Sequence, residues 1–254
     1  MTRPCCPFWW HQDGWACSML GLVTSAAAQA MNGLVAAIHP GLKDLGYRKR
    51  RNTFNRVMHP DGLIHVINFQ MGPFDPPGTA EIPGLRPNLY GRFTINLGVW
   101  LPGLTEPGSQ APARHSTRFI NDYNCHLRAR IGELLPEAAD TWWRLSAPAD
   151  QLAAIVSSAI TGHALPWLAR FSTWDDTLRQ LEAAPADPNW FMSPRLTAMR
   201  MRLARGERAA AERDFAEHVD AWVKNPRTPG HLEVLAKIAV QHSFKVEVAG
   251  APGW

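Results

Sequence analysis

Amides and guanidinium groups are the side chains in this sequence that point most directly to chemistry. Asn68 and Gln70, Thr94 and Asn96, and His126, Arg128 and Arg130 are even-numbered polar residues in three segments with apolar odd positions. If the segments are strands over one core, their period of two puts the apolar sets on one side and the polar sets on the other. Asn68, Gln70, Asn96, Arg128 and Arg130 would then converge, as donors matched to phosphate or carboxylate oxygens. These five are the candidate ligand-binding residues. The competing expectation is a sheet face that meets water, or one that accepts acidic side chains and helix ends from later elements.

Catalytic machinery is not expected. The chain has no nucleophile elbow, phosphate-cradling loop, dinucleotide glycine pattern or zinc-protease helix motif. Cys125 has His126 beside it, but adjacent strand residues face apart, so Cys125 reads as a buried small hydrophobe. The ten histidines show no metal-binding offset, and Cys5, Cys6 and Cys17 lack the paired spacing of a structural zinc site. No metal and no cofactor are expected.

The elements that must position the polar set follow from periodicity. Met31, Leu34, Val35, Ile38, Leu42 and Leu45 fall on one helical stripe. Pro40 should kink or restart that helix, Gly46 should stop it, and Arg48, Lys49, Arg50 and Arg51 should close it by complementing its dipole. "TFNRVM", "HPDG" and "LIHVINFQM" make a hairpin signal. "RFTINLGVWL" alternates cleanly, "CHLRARIGELL" alternates again, and "DTWWRL" reads as a short strand. Beyond Asp150, the expected cap, the period becomes helical, with Pro166 as an interruption, Thr173 as a cap and a helical hairpin turning at Gly206. The expected fold is α+β: an antiparallel sheet of about four to five strands covered by an N-terminal helix and followed by a C-terminal group of helices. The expected organisation is a loose extension at 1–18, an α+β domain at 19–148, a helical region at 149–245 and a tail at 246–254.

At 254 residues, with 46% hydrophobic and 19% charged residues, the chain has the composition of a packed globule. A net charge of +4 does not demand a nucleic-acid partner, and no basic strand motif interleaved with aromatics supports one. The uncharged run from Gly14 to Pro40 is too weakly apolar to span a membrane, and its helical stripe continues past the signal-like "SAAAQA". Three of the four cysteines crowd the first 17 residues instead of forming a distributed framework, so a cytoplasmic protein is expected.

The ordered segments "LKDLGYRKRRNTFNR", "DGLIHVINFQ", "FTINLGVWLP", "RIGELLP" and "DTWWRL" resemble the bacterial family catalogued as domain of unknown function 4304. The resemblance covers roughly Met31 to Leu145, with the following helices as a weaker continuation. It implies a bacterial cytoplasmic α+β domain, and it carries no activity or catalytic residue onto these positions. The Cys- and Trp-rich start departs from the family's pattern, which makes Met19 or Met31 the expected alternative starts. Excess Trp and Arg, both enriched in interface hot spots, favour a non-enzymatic binding or interaction protein of accessory or immunity type, with another protein as partner. The alternative is an enzyme or ligand-binding protein acting on an anionic small molecule or nucleic acid through the Arg/Asn-lined sheet face.

Overall fold

A computed structural model describes residues 25–73, 82, 88–104, 119–184, 193–224 and 231–245. The expected extension at 1–18, the tail at 246–254 and most of the Gly72–Gly91 loop lie outside the described residues.

Helix α1 spans Ala26–Asp44, capped by Ser25, whose Oγ accepts from the Ala28 N–H at 3.2 Å. Met31, Leu34, Val35, Ile38 and Leu42 are buried as the stripe requires, whereas Leu45, one residue past the helix, is 43% exposed. Pro40 sits inside this single helix. Gly46, at φ +86°, ends it through a left-handed turn that a side chain would strain.

Six antiparallel strands follow: β1 (Arg48–Arg50), β2 (Thr53–Met58), β3 (Leu63–Met71), β4 (Arg92–Trp100), β5 (Leu127–Arg130) and β6 (Trp143–Arg144). The order is β1-β2-β3-β4-β5, with β6 pairing β4 beyond β5. The four consecutive cations are thus not the end of the first helix. Gly46 reverses the chain immediately, and Arg48–Arg50 become the edge strand of a hairpin that turns at Arg51, itself at φ +54°. The "CHLRARIGELL" alternation stops at Arg130, because Ile131–Leu134 forms the short helix α2.

Odd positions of β3 and β4 face α1 and the later helices in one apolar cluster containing Phe69, Phe93, Ile95, Leu97, Met31, Leu34, Val156 and Leu168. The even side is not uniformly wet. Thr94 is as buried as Leu97, both 0% exposed. Ile64, Val66 and Trp100 are covered by Ile120 and Cys125, forming a small second core on the polar face.

Helices α3 (Ala149–Ala159) and α4 (Leu165–Ala169) are joined by a π turn at Ile160–Ala164. Pro166 therefore does not interrupt the helix. The Leu165 N–H reaches back to the Ile160 carbonyl, and the widened turn accommodates a proline that has no N–H to donate. Pro148, not Asp150, occupies the cap position. The Ala149–Ala169 run is long and apolar enough to cross a membrane, yet Leu152, Val156, Ile160, Ala164 and Leu168 are buried within the main core. Helix α5 (Trp174–Ala183) is capped by Thr173, whose Oγ1 accepts from the Asp176 N–H. Helices α6 (Pro194–Ala204), α7 (Arg208–Lys224) and α8 (His231–His242) build a further cluster around Phe215, Met199 and Leu235.

Candidate functional site

Strand register decides which side chains meet. Arg50 stands opposite Thr53, Thr53 opposite Asn68, Asn68 opposite Asn96, and Asn96 opposite Arg130, so one polar row crosses five strands. The neighbouring row on the same face runs Arg48, Asn55, Val66, Gly98, Arg128, and Gln70 pairs with Thr94. All five residues expected to converge, Asn68, Gln70, Asn96, Arg128 and Arg130, are therefore on one face.

Most of them are engaged with one another and with two carboxylates. Thr53 Oγ1 donates to Asn68 Oδ1 at 3.0 Å, and Asn68 Nδ2 donates to Asp122 Oδ1 at 2.8 Å. Asn96 Nδ2 donates to the other oxygen of Asp122 at 3.0 Å and to Gln70 Oε1 at 2.6 Å. The Arg128 guanidinium lies 3.7 Å from Asp122, which is buried. Asp122 belongs to a short 3₁₀ turn, Asp122–Asn124, that Asn55 pins to the sheet. Asn55 Oδ1 accepts from the Ile120 N–H at 2.7 Å, and Asn55 Nδ2 donates to the Ile120 carbonyl at 2.9 Å.

Arg130 is held on its outer side. Its Nη1 donates to Asp140 at 2.7 Å, its Nε approaches Asn96 Oδ1 at 3.4 Å, and its guanidinium lies over the Trp142 ring, 5.4 Å from the centroid. Trp142 Nε1 also donates to Asp140. Partial burial pushes the Asp140 carboxyl upward, but the hydrogen bonds from Arg130 and Trp142 prevail and hold it below its ordinary value. Trp142 thus serves the polar side while Trp143 packs on Phe93 in the core, so the two adjacent tryptophans face apart. An open depression of about 240 Å³ remains between Asn96, Arg128, Arg130 and Glu133.

The carboxylates were not legible in advance. Asp122 and Asp140 lie in irregular segments without periodicity, and only strand register reveals which polar row they close.

The other edge of the face differs. Arg48, Lys49, Arg50 and Arg51 on and beside β1 are exposed, and none forms an ion pair among the described residues. By contrast Arg128, Arg130, Arg179, Arg195, Arg202 and Arg205 each meet a carboxylate.

Two other groups of reactive types are structural in their setting. Cys125 is wholly buried, and burial together with nearby Asp122 drives its thiol well above the ordinary value, which disfavours the nucleophilic thiolate. His126, also buried, does not serve it, since His126 Nδ1 accepts from the Leu101 N–H at 3.0 Å. In the C-terminal helices, Ser193 Oγ is 2.9 Å from His218 Nδ1, and His218 Nε2 is 3.2 Å from His231 Nε2. Sequence spacing does not show this contact, because His231 comes from the next helix. Among the described residues, no group of three or more metal-ligating side chains is assembled.

Residues 85–170, about one third of the chain, match a family model described as Domain of unknown function (DUF4304). The resemblance is to that family. The DUF4304-like segment includes β4, β5, β6 and α3, and with them Asn96, Asp122, Arg128, Arg130 and Asp140. It starts later than the expected Met31, so β1, β2 and β3 lie outside it, and it runs past Leu145 into the helices expected as its continuation. Neither the curated proteins nor the solved structures contain a match to the chain.

Proposed function

We propose that the protein is a non-enzymatic binding protein whose partner presents an acidic protein surface, engaged by the β1–β2 hairpin. The observation that carries this reading is the run Arg48, Lys49, Arg50 and Arg51 on the sheet's edge, exposed and without counter-charges among the described residues. Like charges crowded on one short strand repel, and a complementary acidic patch relieves that repulsion while steering association. The strand is also an edge, with one row of backbone groups unpaired by the sheet. The Arg/Asn face supports a small-anion reading less well. Asp122 and Asp140 already bond Asn68, Asn96 and Arg130 and pair with Arg128, so a ligand would have to compete with two carboxylates.

The test is a titration of the full chain with a fluorescent polyglutamate peptide and with a single-stranded oligonucleotide of equal charge. The expected result is peptide binding that weakens with added salt and falls by about tenfold or more in the Lys49→Glu, Arg50→Glu variant. Tighter binding of the oligonucleotide than of the peptide would overturn the acidic-protein reading. Unchanged peptide affinity in the variant would overturn the assignment to the hairpin.

A further inference from the structure

A second cationic place lies at the start of β4, away from the β1 edge, and is built differently. Arg92, the first residue of β4, stands directly opposite Arg144, the last residue of β6. Directly opposed residues of an antiparallel pair have side chains about 5 Å apart at Cβ, and like charges so placed are destabilising. Neither guanidinium has an ion-pair or hydrogen-bond partner among the described residues. The backbone beneath them is firmly held. The Arg92 N–H donates to Leu89 O at 3.0 Å, Arg92 O accepts from Gly72, and the Leu145 N–H donates to Gly91 O at 2.8 Å. In the next register position, Phe93 packs on Trp143 with ring centroids 5.5 Å apart. The two charges are thus held together by the fold.

Both arginines line a cavity of about 580 Å³, within the range of small-molecule sites. Its other walls combine the methyl groups of Ala26, Ala27 and Ala30 from α1, which has no acidic residue in its first turn, and Leu145 with the polar residues Asn88 and Ser146. Tyr90 stands at its edge, half exposed. Two guanidinium groups without a counter-charge among the described residues, beside a wall of Ala26, Ala27, Ala30 and Leu145, suit a ligand with an oxyanion at one end and an apolar body at the other. Guanidinium forks recognise phosphate and carboxylate oxygens in pairs.

We propose that Arg92 and Arg144 form an anion-binding site for a small organic phosphate or carboxylate whose apolar portion rests on Ala26, Ala30 and Leu145. The site is separate from the β1–β2 hairpin, and its test does not depend on that reading.

The experiment is calorimetric titration of the full chain, at constant ionic strength, with phenyl phosphate, benzoate, inorganic phosphate and phenol. Binding of phenyl phosphate or benzoate, with inorganic phosphate weaker and phenol silent, is the expected result; which of the two binds more tightly tells a phosphate site from a carboxylate site. Arg144→Ala should weaken the bound probe by about tenfold or more. Its ligand-free melting temperature should equal or exceed that of the parent, because one of two opposed charges is gone. Arg144→Lys should restore part of the affinity, keeping the charge without the fork. Absence of binding by either organic anion up to about 10 mM, or equal binding by inorganic phosphate, overturns the proposal. So does unchanged affinity in Arg144→Ala, and so does a lower ligand-free melting temperature, which would make the pair a structural element.

Discussion

Gly98 and Cys125 compete for the same space: a Cβ on Gly98 would lie 2.5 Å from Cys125 Sγ and 2.7 Å from its Cβ. Glycine in mid-strand normally weakens a sheet, and here it admits the side chain that seals the polar-face core. Gly98→Ala should therefore cost about 1–3 kcal/mol by overpacking, read from denaturant unfolding. Cys125→Ala should not rescue it, because the offending Cβ remains, whereas Cys125→Gly should recover part of the loss. Full rescue by Cys125→Ala would show that only the sulfur matters.

Asp122 accepts from two amides, and Asp140, itself exposed, holds one half-buried arginine. Asp122→Ala removes the acceptor of the Asn68 amide and one of the two acceptors of the Asn96 amide and should destabilise by about 2–3 kcal/mol. Asp140→Ala, at an exposed pair, should cost less than about 1 kcal/mol. Comparable losses would mean that the polar row is held from its rim and not from its centre.

Among the described residues two buried hydroxyls lack hydrogen-bond partners: Thr94 Oγ1 and Tyr47 OH. Burial pushes the Tyr47 hydroxyl up to about 12, against the nearby charge of Arg56. Removing an unsatisfied polar atom while keeping shape is neutral or stabilising, so Thr94→Val and Tyr47→Phe should each change stability by between zero and about +1 kcal/mol. Leu97→Ala, at the centre of the same strand as Thr94, should cost about 2–5 kcal/mol. A clear loss in Thr94→Val would reveal that its hydroxyl has a bound partner.

His65 ties β3 to the end of α4, its Nε2–H donating to the Phe171 carbonyl at 2.9 Å. Burial lowers its pKa below the ordinary 6.5, outweighing that hydrogen bond, which acts the other way. The neutral form is the folded form, so the unfolded chain binds more protons as pH falls. The His65 contribution is fully present above pH 6.5 and is lost progressively below it, down to the folded value. Melting curves from pH 8 to pH 5 should show this loss, with a flatter profile in His65→Gln. An unchanged slope in that variant would assign the pH dependence to other groups, with His231 and His242, both lowered by burial, next in line.

Much of the fold was legible because its elements obey simple periods. The α1 stripe, the β2–β3 hairpin and the parity of β3, β4 and β5 all follow from which positions are apolar, and parity alone brought Asn68, Gln70, Asn96, Arg128 and Arg130 to one face. Parity does not say what covers that face. Ile120, Asp122 and Cys125 arrive from an irregular segment, and their covering of Val66 and Trp100 is a tertiary event without local signature. Arg48–Arg51 were misplaced because cations after a helix satisfy its dipole as readily as they form an exposed strand. The Arg92–Arg144 opposition requires the pairing of β6 with β4 across more than fifty residues, and no spacing announces it.

The widened turn at Ile160–Ala164 works as a phase shifter. One extra residue in a helical turn rotates everything after it by roughly 100° about the axis. Leu152 and Val156 before the turn and Leu168 after it reach the same core only because that rotation has been inserted. Deleting a single residue within the turn would straighten the helix and swing Leu168 out of register. It would also carry the Phe171 carbonyl away from His65, so the alignment of the helix and the anchoring of β3 depend on the same inserted residue.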